Sequence, residues 1–390
     1  MKVYVKGLNT CTTRRQSVAQ YVEYMRRNGH ELVATPEEAE KTLVWTCAFR
    51  RDVRDRSLAE IAKLKERGCN VVVGGCLPDI DPETLAAHHD GDILRWKDDV
   101  VGLPELFGGE TVSLNDLREA YGEDFVCEDI ESYKNEHPEA NVQFYDSFNK
   151  LVISEGCPLK CSYCSERLMF PPFKSFAIED LVEEVEERAK RTGIYKFALL
   201  ADSLGDYGRD VGLTFIDLLR RLREVDSRIQ FVLFNLNPYH ILEYFDEFDE
   251  LMEEGYFFHI NMPMQSASNK VLELMKRPYT VEGLERIFAL FDKYGFDNFD
   301  THIIVGFPGE EEEDFLMTKE FILKHKPNHV LLSGCMLNSN IPADSLPDKV
   351  DREVIIDRIQ QGEMAFKDIG LFCNSDGGAL MKDRFASRMK

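Results

Sequence analysis

The sequence predicts an α/β protein in two parts: a small open α/β sheet at the N-terminus, then a parallel sheet curved into a partial (β/α)6 barrel. Three observations carry this. Short apolar, β-branched runs alternate with helix-period segments along most of the chain. The alternation breaks over 110–139, where ten side chains are acidic and two basic. Most of the cysteines that invite a metal explanation follow the ends of predicted strands, the edge on which open α/β sheets form ligand sites.

In the first part, Val3–Lys6, Leu43–Thr46 and Asn70–Gly74 read as strands, with helices over Gln16–Asn28 and Asp52–Arg67 between them. In the second, Lys150–Ser154, Lys196–Leu200, Gln230–Phe234, Phe257–Asn261, Asn298–Val305 and His329–Ser333 read as strands. Helices are expected at Glu179–Arg191, Gly212–Glu224, Val281–Lys293 and Glu311–Lys324; the first places Leu181, Val182, Val185 and Ala189 on one face. Six βα units imply a parallel sheet whose loops at the strand C-termini carry the chemistry. The domains expected are 1–110, an acidic connector over 111–142, a core over 143–367 and a tail over 368–390.

The chain has 390 residues and a net charge of −23. Such a charge disfavours non-specific nucleic-acid binding. No apolar run is long enough to cross a membrane, and the N-terminus lacks the apolar core of a signal peptide. The expected compartment is the cytoplasm, where thiols stay reduced, so ten cysteines call for metal before disulfides. Cys69, Cys127 and Cys373 read as small buried hydrophobes. Cys335, at a predicted strand end, is read the same way, against cluster ligation, a persulfide or substrate contact. Arg14, Arg15, Arg50, Arg51, Arg54 and Arg56 read as helix-surface charges rather than a phosphate site.

The strongest local signal is Cys157-Pro158-Leu159-Lys160-Cys161-Ser162-Tyr163-Cys164. Three thiolates in one loop can hold a 4Fe–4S cube and leave its fourth iron without a protein ligand. An open iron can take a small molecule, the logic of open catalytic metal sites. Zinc is the rival, and it would want a fourth Cys or His close by; the loop has none. Cys11, Cys47 and Cys76 each follow a different predicted strand, so only folding brings them together.

The Cys-x3-Cys-x2-Cys pattern with Tyr163 before the last cysteine resembles the radical S-adenosylmethionine (radical SAM) superfamily. Further motifs resemble its methylthiotransferases: Asn9-Thr10-Cys11, Trp45-Thr46-Cys47-Ala48, Gly74-Gly75-Cys76, Met264-Gln265-Ser266-Ala267-Ser268-Asn269, Leu274-Met275-Lys276-Arg277-Pro278-Tyr279-Thr280 and Ile303-Ile304-Val305-Gly306-Phe307-Pro308-Gly309-Glu310. They run in family order, which is more specific than any one alone. The resemblance implies S-adenosylmethionine and two 4Fe–4S clusters as cofactors. Cys157, Cys161 and Cys164 would hold the radical SAM cluster; Cys11, Cys47 and Cys76 would hold an auxiliary cluster carrying the sulfur. Tyr163, Asp202, Gln265, Arg277, Ile304 and Gly306 would lie around S-adenosylmethionine, with Asp202 near its amino group and Arg277 near its carboxylate. Asp202 would serve equally as a turn cap, and Arg277 as a surface cation.

The implied reaction converts a C–H bond to C–SCH3. A sulfur at the auxiliary cluster is methylated, a second S-adenosylmethionine is cleaved, the resulting radical removes a substrate hydrogen, and the substrate radical takes the sulfur. Sulfur insertion without methylation is the alternative, as is a non-catalytic iron–sulfur carrier or sensor. The family usually ends in a β-barrel domain called TRAM, and the segment 368–390 is too short for one. The segments Arg167–Pro172 and Cys335–Ile341 also differ from the family pattern. The partners expected are therefore a small-molecule or peptide substrate and a reducing donor such as flavodoxin or ferredoxin, with nucleic acid unlikely and no membrane.

Overall fold

The computed structural model describes residues 1–8, 12–109, 111–114, 117 and 148–375, with the backbone alone at 12, 13 and 15. Cys11, Cys127, nearly all of the acidic connector and the end of the tail lie outside the described residues. The chain divides into two compact units. One is Met1–Cys157 with Ser165–Ile194 and Leu200–Asp202; the other is Pro158–Cys164 with Tyr195–Leu199 and Ser203–Lys390.

The first unit opens with β1 (Lys2–Gly7), α1 (Thr12–Arg27), β2 (Glu31–Leu32), β3 (Lys41–Thr46), α2 (Arg51–Glu66) and β4 (Val71–Gly75). Next come α3 (Leu77–Ile80), α4 (Pro82–His88), β5 (Ile93–Arg95) and α5 (Asp99–Phe107). The five strands form a parallel sheet in the order β2-β1-β3-β4-β5. Leu43, Val44 and Trp45 of β3 and Val71, Val72 and Val73 of β4 are all buried, as expected of a strand covered on both faces. Their core takes Tyr21 and Tyr24 from α1, Ile61 and Leu64 from α2, and Leu103 and Phe107 from α5. Tyr21 and Trp45 meet edge to face at 5.2 Å.

The chain continues through β6 (Asn149–Val152), β7 (Ser154–Glu155), β8 (Lys174–Ser175), α6 (Ile178–Thr192) and β9 (Lys196–Leu200). Strands β7 and β8 pair antiparallel, Ser154 with Ser175 and Glu155 with Lys174. In α6, Leu181, Val185 and Ala189 recur at four-residue spacing and are buried; Gly193, at φ +69°, ends the helix.

Then follow α7 (Phe215–Arg223), β10 (Gln230–Leu233), α8 (Pro238–Glu243), α9 (Phe245–Glu253), β11 (Phe257–Asn261), α10 (Asn269–Leu274) and α11 (Val281–Lys293). The chain closes with β12 (Phe299–Val305), α12 (Glu312–His325), β13 (His329–Gly334), α13 (Arg352–Asp368) and β14 (Phe372–Ser375). The sheet order is β14-β13-β12-β11-β10-β9-β6. The six expected strands are present, and β14, from the segment read as tail, pairs parallel with β13. Thr214 caps α7 with a reciprocal box to Asp217, which satisfies two end donors.

Burial alternates along the last long strands. Thr301, Ile303 and Val305 of β12 and Val330, Leu332 and Gly334 of β13 are buried; His302, Ile304, His329, Leu331 and Ser333 are half-buried. The register pairs Asp300 with His329, His302 with Leu331 and Ile304 with Ser333, so these residues share one face. The other face carries α13, where an added Cβ at Gly362 would stand 2.8 Å from Leu332 Cδ2. The half-buried face lies opposite α13.

Candidate iron–sulfur and cofactor site

Cys47 and Cys76 are the residues immediately after β3 and β4, whose ends pair Thr46 with Gly75. The Cys76 amide donates to Thr46 O at 2.9 Å, and Thr46 Oγ1 donates to Gly74 O at 2.6 Å. Gly75 sits at φ +86°, and a Cβ there would run into the Thr46 backbone, so this turn requires glycine. Ser57 of α2 accepts from the Cys47 amide at 3.2 Å and donates to the Cys47 carbonyl at 2.8 Å. Both thiols are buried. Each lies close enough to the other to shift it: the neighbouring thiol lowers Cys47 and, with burial, pushes Cys76 well above the usual thiol range.

Cys157 follows Gly156, which sits at φ +78° just past β7. A Cβ at Gly156 would come within 2.6 Å of Pro171 O and 2.9 Å of the Phe173 backbone. The Gly156 amide donates to Asp202 Oδ2 at 2.9 Å. The other Asp202 oxygen is paired with Arg14 of α1. Arg14, expected on a helix surface, is 3% exposed, with its guanidinium 3.6 Å above the Trp96 ring. Three others of that group meet nearby carboxylates: Arg50 and Arg56 reach Asp52, and Arg54 reaches Asp55 and Asp81.

In the second unit, the Ser162 amide donates to Met275 O at 3.0 Å, its hydroxyl donates to Leu274 O at 2.7 Å, and its carbonyl accepts from Ala343 N at 2.9 Å. These bonds fix the backbone between Cys161 and Cys164. Arg277 donates to Cys161 Sγ at 3.4 Å and to Pro263 O at 3.0 Å, and its Nε donates to Tyr279 Oη at 2.9 Å. It is therefore not a surface cation. Tyr163 stacks edge to face on Phe307 at 6.4 Å and, like Ile304, Cys335 and Leu337, packs against the small core of Val271, Met275, Phe307 and Ala343. Burial pushes the Cys335 thiol up to about 12, so it rests as a neutral thiol.

Gln265 takes φ +65°, donates its amide to His302 O at 2.8 Å and accepts from Ile304 N at 2.9 Å. Its side-chain Oε1 is buried without a hydrogen-bond partner. Gly306, at φ +79°, donates to Glu310 Oε1 at 2.9 Å, and Arg358 donates to the same oxygen at 2.7 Å. Burial pushes the Glu310 carboxyl up to about 7.

Sequence reasoning missed a polar network on the half-buried face. Asn261 donates to Asp300 and to His302 Nε2, the latter at 3.1 Å. His259 stands 3.4 Å and His329 3.7 Å from Asp300 Oδ2. Burial holds His302 down at about 4. The signal available was the two-residue spacing of Asp300, His302 and Ile304 along one strand.

The donor set fits iron–sulfur chemistry. All eight described cysteines are free thiols. Among the described residues, no three His, Cys, Asp or Glu side chains gather closely enough to hold one metal ion. A four-iron cube binds each thiolate through a different iron, so its ligands stand further apart than those of zinc. The orphaned Gln265 oxygen, beside Ile304, fits a ligand that brings a hydrogen-bond donor, as an amino group does.

Residues 151–322 match the Radical SAM superfamily, and residues 2–94 match Uncharacterized protein family UPF0004. A probable threonylcarbamoyladenosine tRNA methylthiotransferase from Pyrococcus horikoshii is 30% identical over 338 residues, 85% of this chain and 76% of the relative. The chain belongs to the radical SAM methylthiotransferase family. These are sulfur-inserting enzymes that use S-adenosylmethionine and 4Fe–4S clusters. A ribosomal protein uS12 methylthiotransferase RimO from Pelobacter propionicus is 28% identical, covering 88% of this chain and 77% of the relative. A tRNA-2-methylthio-N(6)-dimethylallyladenosine synthase from a Thermoanaerobacter species is also 28% identical, covering 86% and 72%.

Among solved structures, the methyltransferase TsrM from Kitasatospora setae, with cobalamin and a [4Fe-4S] cluster bound, superposes at a TM-score of 0.61 with 14% identity. It covers 88% of this methylthiotransferase-family chain and 76% of its own, and shares the fold. Because several relatives are named for tRNA, the expectation that nucleic acid is an unlikely partner is not supported. No helix among the described residues is long and apolar enough to cross a membrane.

Proposed function

We propose that the chain is a two-cluster methylthiotransferase that converts a C–H bond of a peptide or other small acceptor to C–SCH3. In this reading Cys157, Cys161 and Cys164 hold the radical SAM cluster, and Cys11, Cys47 and Cys76 hold the auxiliary cluster. The domains would be an auxiliary-cluster domain over 1–110, the connector over 111–142 and the radical SAM core over 143–367. The observation that carries the reading is the juxtaposition of Cys47 and Cys76, which begin far apart in sequence and stand, buried, just past the paired ends of neighbouring strands.

When bound, the two clusters and S-adenosylmethionine supply a hydrogen-abstracting carbon radical and the sulfur to be transferred. The chain's own residues hold and shield. Arg277, donating to Cys161 Sγ, offsets negative charge on that sulfur. Tyr163, Phe307 and Ile304 form an apolar wall that excludes water from the loop's flank. Gln265 Oε1 is an acceptor ready for the cofactor's amino group.

The charge of −23 supports a neutral or cationic acceptor such as a peptide, and one relative is named for a ribosomal protein. The tRNA names of other relatives favour a second reading, a tRNA base.

The test is anaerobic reconstitution followed by iron counting, assay of 5′-deoxyadenosine, and mass detection of an added methylthio group on peptide and tRNA pools. Cys161→Ala should abolish both products. Cys47→Ala/Cys76→Ala should lose about half the iron and all thiolation, yet still form 5′-deoxyadenosine. Full iron and unchanged thiolation in that double variant would overturn the auxiliary assignment.

A further inference from the structure

Arg14 is a buried cation that the reaction scheme does not use. Its side chain is 4% exposed and that of its partner, Asp202, is 6% exposed. A guanidinium so far from water is costly unless every face is met. Here one face lies 3.6 Å above Trp96, and the Phe170 ring centroid is 5.9 Å away. The Asp202 carboxylate takes its charge.

These partners flank the cysteine segment on both sides. Through Asp202, Arg14 reaches the Gly156 amide, one residue before Cys157. Through Phe170, it reaches the chain six residues beyond Cys164, where Met169 is fully buried in the N-terminal core and Phe170 meets Trp96 edge to face at 6.4 Å. Ser165, next to Cys164, donates to Phe49 O at 2.9 Å, two residues past Cys47. Arg14 itself lies in the first turn of α1, three residues after Cys11.

We propose that Arg14 is a positioning residue for the Cys157–Cys164 loop, acting through Asp202 on the Gly156 amide and through Phe170 on the segment that follows the loop. It thereby ties the helix that follows Cys11 to Gly156, the residue from which that loop departs. An Asp202 held by Arg14 and Gly156 is committed to the loop rather than left open as a ligand for the methionyl amino group. The inference rests on the cluster assignment above only for its effect on iron; the hydrogen bond it describes belongs to the chain alone.

The test uses full-length Arg14→Met, Asp202→Asn and the double variant. Hydrogen exchange of the Gly156 amide is read by mass spectrometry on metal-free protein. In Arg14→Met, Asp202 is left as a buried charge that leaves its place, and Gly156 exchange should quicken on the order of tenfold or more, the worth of a hydrogen bond to a charged group. In Arg14→Met/Asp202→Asn no unpaired charge remains, the asparagine oxygen still accepts from Gly156, and protection should recover most of what either single variant, each of which strands one buried charge, has lost.

After reconstitution, Arg14→Met should lose the change in the reduced-cluster electron paramagnetic resonance signal that S-adenosylmethionine causes, and the double variant should regain it. Unchanged Gly156 exchange in Arg14→Met, or no rescue by the double variant, overturns the inference. So does faster exchange with an unaltered resonance response. A wild-type chain that binds no cluster would refute the cluster assignment, while the exchange arm would still decide the Arg14–Asp202–Gly156 linkage.

Discussion

Gly156→Ala is the substitution whose cost the structure defines best. The position has φ +78°, which costs a residue with a Cβ about 1–2 kcal/mol. The added carbon also meets Pro171 O at 2.6 Å and Phe173 backbone at 2.9 Å, atoms that cannot rotate away, so overpacking adds about 1–3 kcal/mol. The loop can relieve this only by moving its amide off Asp202, which forfeits about 1.5–3 kcal/mol. Whichever route is cheaper, the variant should lose at least about 1.5 kcal/mol and at most about 5 kcal/mol. Both tryptophans, Trp45 and Trp96, are buried in the unit that contains Gly156, so urea unfolding followed by tryptophan fluorescence reads that unit directly. Gly306→Ala is the matched control: φ is +79°, but the new carbon meets only the Ile355 side chain, in the other unit. It should leave the tryptophan transition in place. A Gly156→Ala transition within about 0.5 kcal/mol of wild type would refute the strain argument.

Asp99 is pushed up to about 7 by burial, with Tyr21 donating to it. The folded chain therefore holds a proton that the unfolded chain has released between about pH 4 and pH 7, and stability falls as pH rises through that window. Asp99→Asn should gain about 3–4 kcal/mol at pH 8 and little at pH 4 by the same fluorescence assay, and an equal gain at both would reject the titration. Arg358→Met strands the buried Glu310 carboxylate and should cost about 3–5 kcal/mol by circular dichroism in urea; Glu310→Gln in the same chain should recover most of it. Cys335→Ala should leave turnover unchanged and cost about 1–2 kcal/mol, since a thiol packed against the Val271, Met275, Phe307 and Ala343 core and held at about 12 is an apolar filler; lost turnover would revive a chemical role.

Much of this was legible in the sequence where periodicity is long. The strands Lys196–Leu200 and Phe257–Asn261 and the helix Val281–Lys293 have the bounds expected of them. Glu31–Leu32 and Ile93–Arg95 were missed because two or three residues cannot display a two-residue period. Strand β14 was missed because Phe372-Cys373-Asn374-Ser375 has no alternation of its own and is ordered by pairing with β13. Helix α1 starts four residues earlier than expected, because Thr12 to Arg15 read as polar surface. That is also why Arg14 was misplaced: its partners, Trp96, Phe170 and Asp202, are remote in sequence, and no local pattern announces a buried ion pair.

The two proposed ligand sets differ in when each can exist. Cys157, Cys161 and Cys164 stand within eight consecutive residues, so even a nascent chain presents them together. Cys47 and Cys76 become neighbours only once β3 and β4 have paired. On that assignment maturation would have a direction: the loop could accept iron early, whereas the sheet must fold before its site exists, and iron delivered there would be bound against the folding equilibrium of that sheet. Oxygen damage at the second site would then act as a loss of fold stability, and repair of that site is a refolding problem as much as a supply of iron and sulfide.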